Sequence, residues 1–119
     1  MAKIQDLTKE QRIHKEYLKL KKIFKDLDKG KRNTVDSLMK NAAFMAVSLE
    51  ELQEIINRDG YTVEYQNGEN QKGTKQSDEV KTHIAMTKNY TAIIKQLCDM
   101  VPEEEKEEHE SRLQALMKE

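Results

Sequence analysis

Apolar residues recur at helical spacing through the first quarter of the chain. Their steps of four and three place them on one face of an α-helix: Ile13, Tyr17, Leu20, Phe24 and Leu27. We predict this first helix over residues 8–27. Thr8 is a suitable N-cap, and Gln11 stands in the capping-box position. Gly30 is expected to form a tight turn after the helix.

A second, longer helix is predicted over residues 34–58, where apolar residues again keep the helical period. Its middle, residues 41–47, is apolar almost all round, so we expect this segment to be buried on several sides. The alanines there permit close approach of a neighbouring helix, in the same subunit or the next. Gly60 is expected to end the helix.

Residues 60–76 interrupt the helical pattern. Residues 62–65 alternate with period two, and Asn67-Gly68 follows, which is a strong hairpin-turn signal. The return segment, residues 69–73, is a poor strand former. The pattern therefore leaves two alternatives, a short β-hairpin or an extended loop.

A third helix is predicted over residues 78–100, with Ser77 as its N-cap and Pro102 beyond its end. We expect seven residues to form its buried stripe: Val80, Ile84, Thr87, Tyr90, Ile94, Leu97 and Val101. A short fourth helix with a weak apolar edge follows. The fold class is thus all-α, with three long antiparallel helices and a short C-terminal helix in a single domain spanning residues 1–119.

Composition and charge divide this domain into three parts. With 36% charged residues, two Phe and no Trp, the chain is poor in core material, so we expect it to gain burial by oligomerising. Residues 1–33 carry 11 Lys/Arg against 5 Asp/Glu, whereas residues 102–119 carry 3 against 7. These ends form a basic N-terminal helix and an acidic C-terminal helix, and residues 34–101 form an oligomerisation core.

Enzymatic chemistry is not expected from the residue pattern. His14, His83 and His109 lie in three different segments, and Cys98 has no neighbouring Cys or His that would complete a zinc site. No P-loop is present. We therefore expect no catalytic residues, no metal and no cofactor. No signal peptide and no apolar run of about 20 residues is seen, so we expect a cytoplasmic protein without a membrane partner.

The basic first helix is the one site-like feature with a mechanism. Lysines on a helix surface can neutralise phosphates and release counterions without reading base sequence. The alternative is that these lysines only keep an amphipathic helix soluble.

A resemblance adds a specific hypothesis. The segment Gly-Tyr-Thr-Val-Glu-Tyr-Gln-Asn-Gly-Glu-Asn-Gln-Lys-Gly at residues 60–73 precedes Ser77-Asp78-Glu79 and a helix that carries Tyr90 and a closing Leu97. This pattern resembles the small terminase subunits of tailed phages and prophages in Gram-positive hosts. The resemblance covers roughly residues 34–101.

The resemblance implies a non-catalytic ring-shaped homo-oligomer in the host cytoplasm. Such a ring binds double-stranded viral DNA and recruits the large terminase subunit, which carries the ATPase and the nuclease. The acidic segment from Glu103 is a candidate contact for the large subunit. The implied DNA contacts are N-terminal: Lys15, Lys19, Lys22, Lys25, Lys29, Lys31 and Arg32. Our candidate oligomerisation residues are Ala42, Ala43, Phe44, Met45, Val47, Tyr65 and Tyr90.

Two other classes of function stay open at the level of sequence. A helical structural or interaction protein would use the middle of the second helix and the acidic tail to bind another protein. A helix-turn-helix regulator would bind a palindromic DNA site as a dimer. A small metal-dependent enzyme is the least favoured class.

Overall fold

The structure, a computed structural model, describes residues 6–25, 27, 32–101 and 106–117, without the side chains of residues 32 and 106–109. The described chain is mostly helical, which confirms the predicted helix content. It contains four helices and one two-stranded sheet, in the order α1 (Lys9–Ile23), α2 (Arg32–Asp59), β1 (Thr62–Gln66), β2 (Lys72–Gln76), α3 (Asp78–Asp99) and α4 (Lys106–Met117).

The predicted cap begins α1, but the helix ends earlier than predicted. The Gln11 backbone N–H donates to the Thr8 hydroxyl at 3.1 Å, and the Thr8 N–H donates to the Gln11 side chain at 2.9 Å. The helix ends at Ile23 rather than at Leu27. A turn follows, in which the Leu27 N–H donates to the Phe24 carbonyl at 3.2 Å. This turn still brings Leu27 into the core. The predicted turn at Gly30 lies outside the described residues.

The predicted boundaries of α2 and α3 agree with the structure to within two residues. Gly60 follows α2 with φ of +85°, a conformation that favours glycine, and its N–H donates to the Ile56 carbonyl at 2.7 Å. The Ser77 hydroxyl accepts from the Val80 N–H at 3.1 Å and so caps α3.

Between α2 and α3 the chain forms a β-hairpin, so the hairpin alternative is the one observed. β1 and β2 are antiparallel, with Thr62 opposite Gln76 and Gln66 opposite Lys72. The Asn67 N–H donates to the Gln71 carbonyl at 2.8 Å, so Asn-Gly lies in a five-residue loop rather than in a two-residue turn. We call β1, β2 and this loop the ribbon.

The helices pack as an antiparallel, elongated bundle with overall dimensions of 64 × 35 × 26 Å. α2 lies between α1 and α3, and α4 contacts α1. Lys9 at the start of α1 forms a 2.8 Å ion pair with Glu51, which lies far along α2. About two turns further along α1, the Tyr17 hydroxyl donates to Asp36 early in α2. These two contacts fix the antiparallel direction.

The hydrophobic core occupies one end of the bundle. It is built from the second half of α1, the first half of α2 and the end of α3: Leu20, Ile23, Phe24, Leu27, Val35, Met39, Ala42, Ala43, Leu97 and Val101. The predicted stripe of α3 is therefore correct at its C-terminal end only. Ile84 remains 47% exposed because it lies about 140° around α3 from the buried Leu97, and Thr87 is exposed as well.

We predict that Leu97→Ala destabilises the chain far more than Leu18→Ala. Leu97 is 0% exposed, so its truncation leaves a cavity and should lower the free energy of unfolding by about 2–5 kcal/mol. Leu18 is 49% exposed, and the same truncation there should change it by less than about 1 kcal/mol. Urea unfolding followed by circular dichroism, at one protein concentration, measures both. Equal losses would contradict the core as described.

Candidate nucleic-acid interface

Three of the predicted DNA-contact lysines form a row on α1. Lys15, Lys19 and Lys22 follow one another at steps of four and three, so they lie on adjacent turns of one helix side. The row extends about 10 Å along the helix axis. Lys15 and Lys22 are exposed and Lys19 is half-buried. We call these residues the α1 lysine row.

The α1 lysine row lines a groove of about 750 Å³ between α1, α2 and α4. The apolar part of the lining consists of Leu7, Leu18, Val47 and Leu116. Two carboxylates also reach the groove, and one of them, Glu50, is bound by Arg12 at 2.5 Å. Arg12 is therefore neutralised by its partner.

The charge of the α1 lysine row is available to a ligand. Within the described part of the chain, none of its three side chains forms an ion pair. Lysine ammonium groups in a row can contact successive phosphates of a nucleic-acid backbone, but they do not distinguish bases. The arrangement thus suits backbone binding rather than base recognition.

The remaining predicted DNA contacts do not join this groove. Lys25 is exposed in the turn after α1 and does not line it. Arg32 begins α2, but its side chain lies outside the described residues, as do Lys29 and Lys31. The structure thus brings together three members of the predicted set.

A second cationic group, on the other flank of α1, surrounds Tyr17. The ammonium groups of Lys21 and Lys40 lie 5.5 and 5.9 Å from the Tyr17 ring centroid, and Lys40 also pairs with Asp36 at 3.1 Å. Sequence reasoning missed Lys40 as a candidate. Asp36 and Lys40 are four residues apart on a helix, and this spacing could have predicted their ion pair. The position of Lys40 beside the Tyr17 ring could not be predicted, because it depends on tertiary packing.

The hydrogen bond between Tyr17 and Asp36 perturbs both groups. The hydroxyl donor, with Lys40 as the next cause, holds the pKa of the Asp36 carboxyl below its ordinary value. The same hydrogen bond, followed by burial and by the negative charge of Asp36, raises the pKa of the Tyr17 hydroxyl. The neutral Tyr17 hydroxyl and the ionised Asp36 carboxylate therefore join α1 to α2.

The candidate oligomerisation residues divide between the core and the surface. Ala42, Ala43 and Val47 are buried within the chain itself. Met45 and Tyr90 are half-buried, whereas Phe44 and Tyr65 are exposed. The ammonium group of Lys9 lies 5.0 Å from the Phe44 ring centroid. A role for this set in assembly stays a prediction.

Other reactive or ligand-binding groups are few in the described residues. No cluster of three or more His, Cys, Asp or Glu side chains that could hold a metal occurs among them. Cys98 is half-buried, and burial, followed by the charges of Asp99 and Glu110, raises the pKa of its thiol. None of the described helices combines the length and apolarity needed to cross a bilayer.

Comparison with known proteins gives no assignment. No protein-family model matches the chain, and neither the curated proteins nor the solved structures contain a match. The structure itself defines the class: a small helical bundle with a β-ribbon and a lysine-lined groove.

We predict that Asp36→Asn lowers stability at neutral pH but not in acid. The folded-state pKa of Asp36 is depressed, so its contribution is present above the ordinary carboxyl pKa of about 4 and is lost as pH falls through the folded-state pKa. Urea midpoints of wild type and variant should differ at pH 7 and converge towards pH 3. Glu69→Gln, in the exposed ribbon loop, is the control. A difference that stays constant with pH would contradict this role.

Proposed function

We propose that this chain is the small subunit of a phage DNA-packaging terminase. It would act as a non-catalytic, oligomeric adaptor that binds double-stranded viral DNA and recruits or regulates the large, ATP-hydrolysing and DNA-cleaving subunit. The observation that carries the proposal is the α1 lysine row, whose three cations have no ion-pair partner among the described residues.

A polyanion is the partner that this row fits best. Like charges four residues apart, such as Lys15 and Lys19, destabilise a helix by about 0.2–0.5 kcal/mol. The phosphates of a nucleic-acid backbone would offset this repulsion, because they attract both lysines. On the other flank of α1, Lys40 is paired with Asp36, so it does not add to this charge. A duplex lying along α1 would thus meet the positive charge of the α1 lysine row.

The packing of the helices favours an adaptor over a helix-turn-helix regulator. A recognition helix needs one face free to enter the major groove, and it follows the first helix at a wide angle. Here α2 runs antiparallel to α1 and lies between α1 and α3. The lysine row also lacks the Arg, Asn or Gln set that usually reads bases.

The residues that carry the family resemblance occupy defined places in this fold. Residues 60–73 comprise β1, the ribbon loop and the first two residues of β2, and residues 88–97 lie in the second half of α3. Leu97 lies in the core and Tyr90 packs against it. The acidic C-terminal segment remains our candidate contact for the large subunit, in the host cytoplasm.

A second candidate function rests on the ribbon. Its exposed aromatic residues, Tyr61 and Tyr65, favour a protein-interaction role that involves no DNA. Absence of measurable DNA affinity at low salt would support that candidate over the terminase subunit.

We predict that neutralising the α1 lysine row weakens DNA binding and its dependence on salt. The slope of log K against log salt concentration is negative, and each phosphate contact contributes about −0.9 to it. The variant Lys15→Gln, Lys19→Gln, Lys22→Gln should therefore make the slope less steep, by up to about 2.7 if all three contacts are lost. Fluorescence anisotropy with a labelled duplex, at several salt concentrations, measures the slope.

The matched control places the same change on the ribbon. Lys72→Gln with Lys75→Gln removes exposed lysines at a distance from α1, and we expect the salt slope of wild type. If the α1 variant binds DNA as the wild type does, α1 is not the DNA-binding surface.

A further inference from the structure

The outer side of α3 is exposed along most of the helix. Its inner side packs on α2, and Leu97 is fully buried at the C-terminal end. At about 100° per residue around the helix axis, the exposed residues between 81 and 96 extend over more than half of the circumference. A helix side about 22 Å long is therefore open to a partner.

Three lysines form a straight row on this outer side. Lys81, Lys88 and Lys95 are all exposed and stand seven residues apart. They lie about 10 Å apart along the helix axis and within about 40° of one another around it. Lys88 lies about 180° around the axis from Leu97, so the row faces away from the core. We call these three residues the α3 lysine row.

The charge of the α3 lysine row is not neutralised within the described part of the chain. None of the three lysines forms an ion pair there. Between Glu79 and Asp99, α3 itself carries no acidic residue. On the adjacent helix α2, Glu50 and Glu51 are bound by residues of α1. The outer side of α3 is therefore a basic surface separate from the α1 lysine row.

Two amide side chains accompany the α3 lysine row. Asn89 and Gln96 each directly follow a lysine of the row, and both are exposed. They are also seven residues apart, so they form a second line about 100° around the helix from the lysines. Between residues 81 and 96, only Ala85 and Ala92 lie between the two lines. The ammonium and amide groups can therefore contact one ligand together.

This combination of groups suits duplex DNA. Lysine ammonium groups contact phosphates without reading the sequence, whereas Asn and Gln side chains form paired hydrogen bonds with the adenine edge in the major groove. A helix about 10–12 Å across enters the major groove of B-DNA, which is about 12 Å wide. The outer side of α3 thus offers phosphate contacts and base contacts together, which the α1 lysine row does not.

A membrane surface fits the outer side of α3 less well. A helix that lies on a membrane buries a broad apolar face beside its basic one. Ile84 is the single exposed large hydrophobic residue of α3. A protein partner is also disfavoured, because the centres of protein interfaces are rich in aromatic and apolar anchors. The charges and amides are better matched by a polyanion whose bases can be read.

We propose that the outer side of α3 is a second DNA-binding surface, which reads base sequence. The α3 lysine row binds phosphates of the duplex, and Asn89 and Gln96 contact base edges in the major groove. This goes beyond the proposed function, which rests on the α1 lysine row and on binding without base recognition. The two surfaces lie on different helices, so each can be removed without the other.

The phosphate contacts are tested by neutralising the row in the full chain. Lys81→Gln, Lys88→Gln, Lys95→Gln should make the slope of log K against log salt concentration less steep, by up to about 2.7 if all three contacts are lost. Fluorescence anisotropy with a labelled duplex measures the slope, and circular dichroism checks that the helix content is unchanged. The lysine control on the ribbon, Lys72→Gln with Lys75→Gln, should keep the slope of wild type.

The base contacts are tested by the amide pair. Wild type is first used to select its preferred sequence from a random duplex pool, and its affinity is compared with that for a scrambled duplex of equal length. Asn89→Ala with Gln96→Ala should reduce this preference by about tenfold or more and keep the salt slope. The matched control removes two exposed amides of the ribbon loop, Asn70→Ala with Gln71→Ala, and should keep the preference.

Three results would overturn the inference: an unchanged salt slope in the α3 lysine variant, a wild type that selects no sequence, or an amide variant that keeps the preference. If only the α1 variant loses binding, the inference fails and the proposed function stands. If only the α3 variants lose binding or preference, the inference stands and the α1 lysine row no longer supports the proposed function.

Discussion

The limited supply of large apolar side chains governs this structure. Buried hydrophobic residues suffice for one compact core, where the end of α3 meets the second half of α1 and the first half of α2. Leu97 has no exposed surface there, and Ala42 and Ala43 let the helices approach closely. Burying one such leucine contributes about 1.5–3 kcal/mol, so most of the apolar stabilisation comes from this end. The other end consists of two helices and a ribbon whose apolar side chains remain partly or fully exposed.

This core also determines where charge is displayed. α1 is held on α2 by its apolar face, by the pairs of Lys9 with Glu51 and Arg12 with Glu50, and by the hydrogen bond from Tyr17 to Asp36. The exposed pairs contribute little stability individually, but they use acidic groups of α2 and leave the α1 lysine row unpaired. A surface suited to phosphates thus lies beside the core, and its three lysines can be changed without breaking these pairs.

Local signals predicted most of the fold. The capping box of α1, Ser77 before α3 and Gly60 after α2 are interactions within a few residues, so sequence spacing sufficed to find them. Helix α1 ended early at Ile23, and Ile84 stayed exposed, because these features depend on which helices are neighbours. The hairpin could not be distinguished from a loop, since its return strand has poor strand propensity.

For the candidate site, spacing placed Lys15, Lys19 and Lys22 on one side of a helix. The approach of Lys40 to Tyr17 follows from tertiary packing, which periodicity alone does not give.

The central claim is that the chain has one well-packed core, where the end of α3 meets the second half of α1 and the first half of α2, and that residues 49–96 are packed much less well. Amide hydrogen exchange tests this most directly, at a protein concentration where light scattering shows a single chain. We expect slow exchange in the core segments of α1, α2 and α3, and faster exchange in residues 49–96. Amides of residues 49–96 that exchange as slowly as the core in the single chain would contradict the claim.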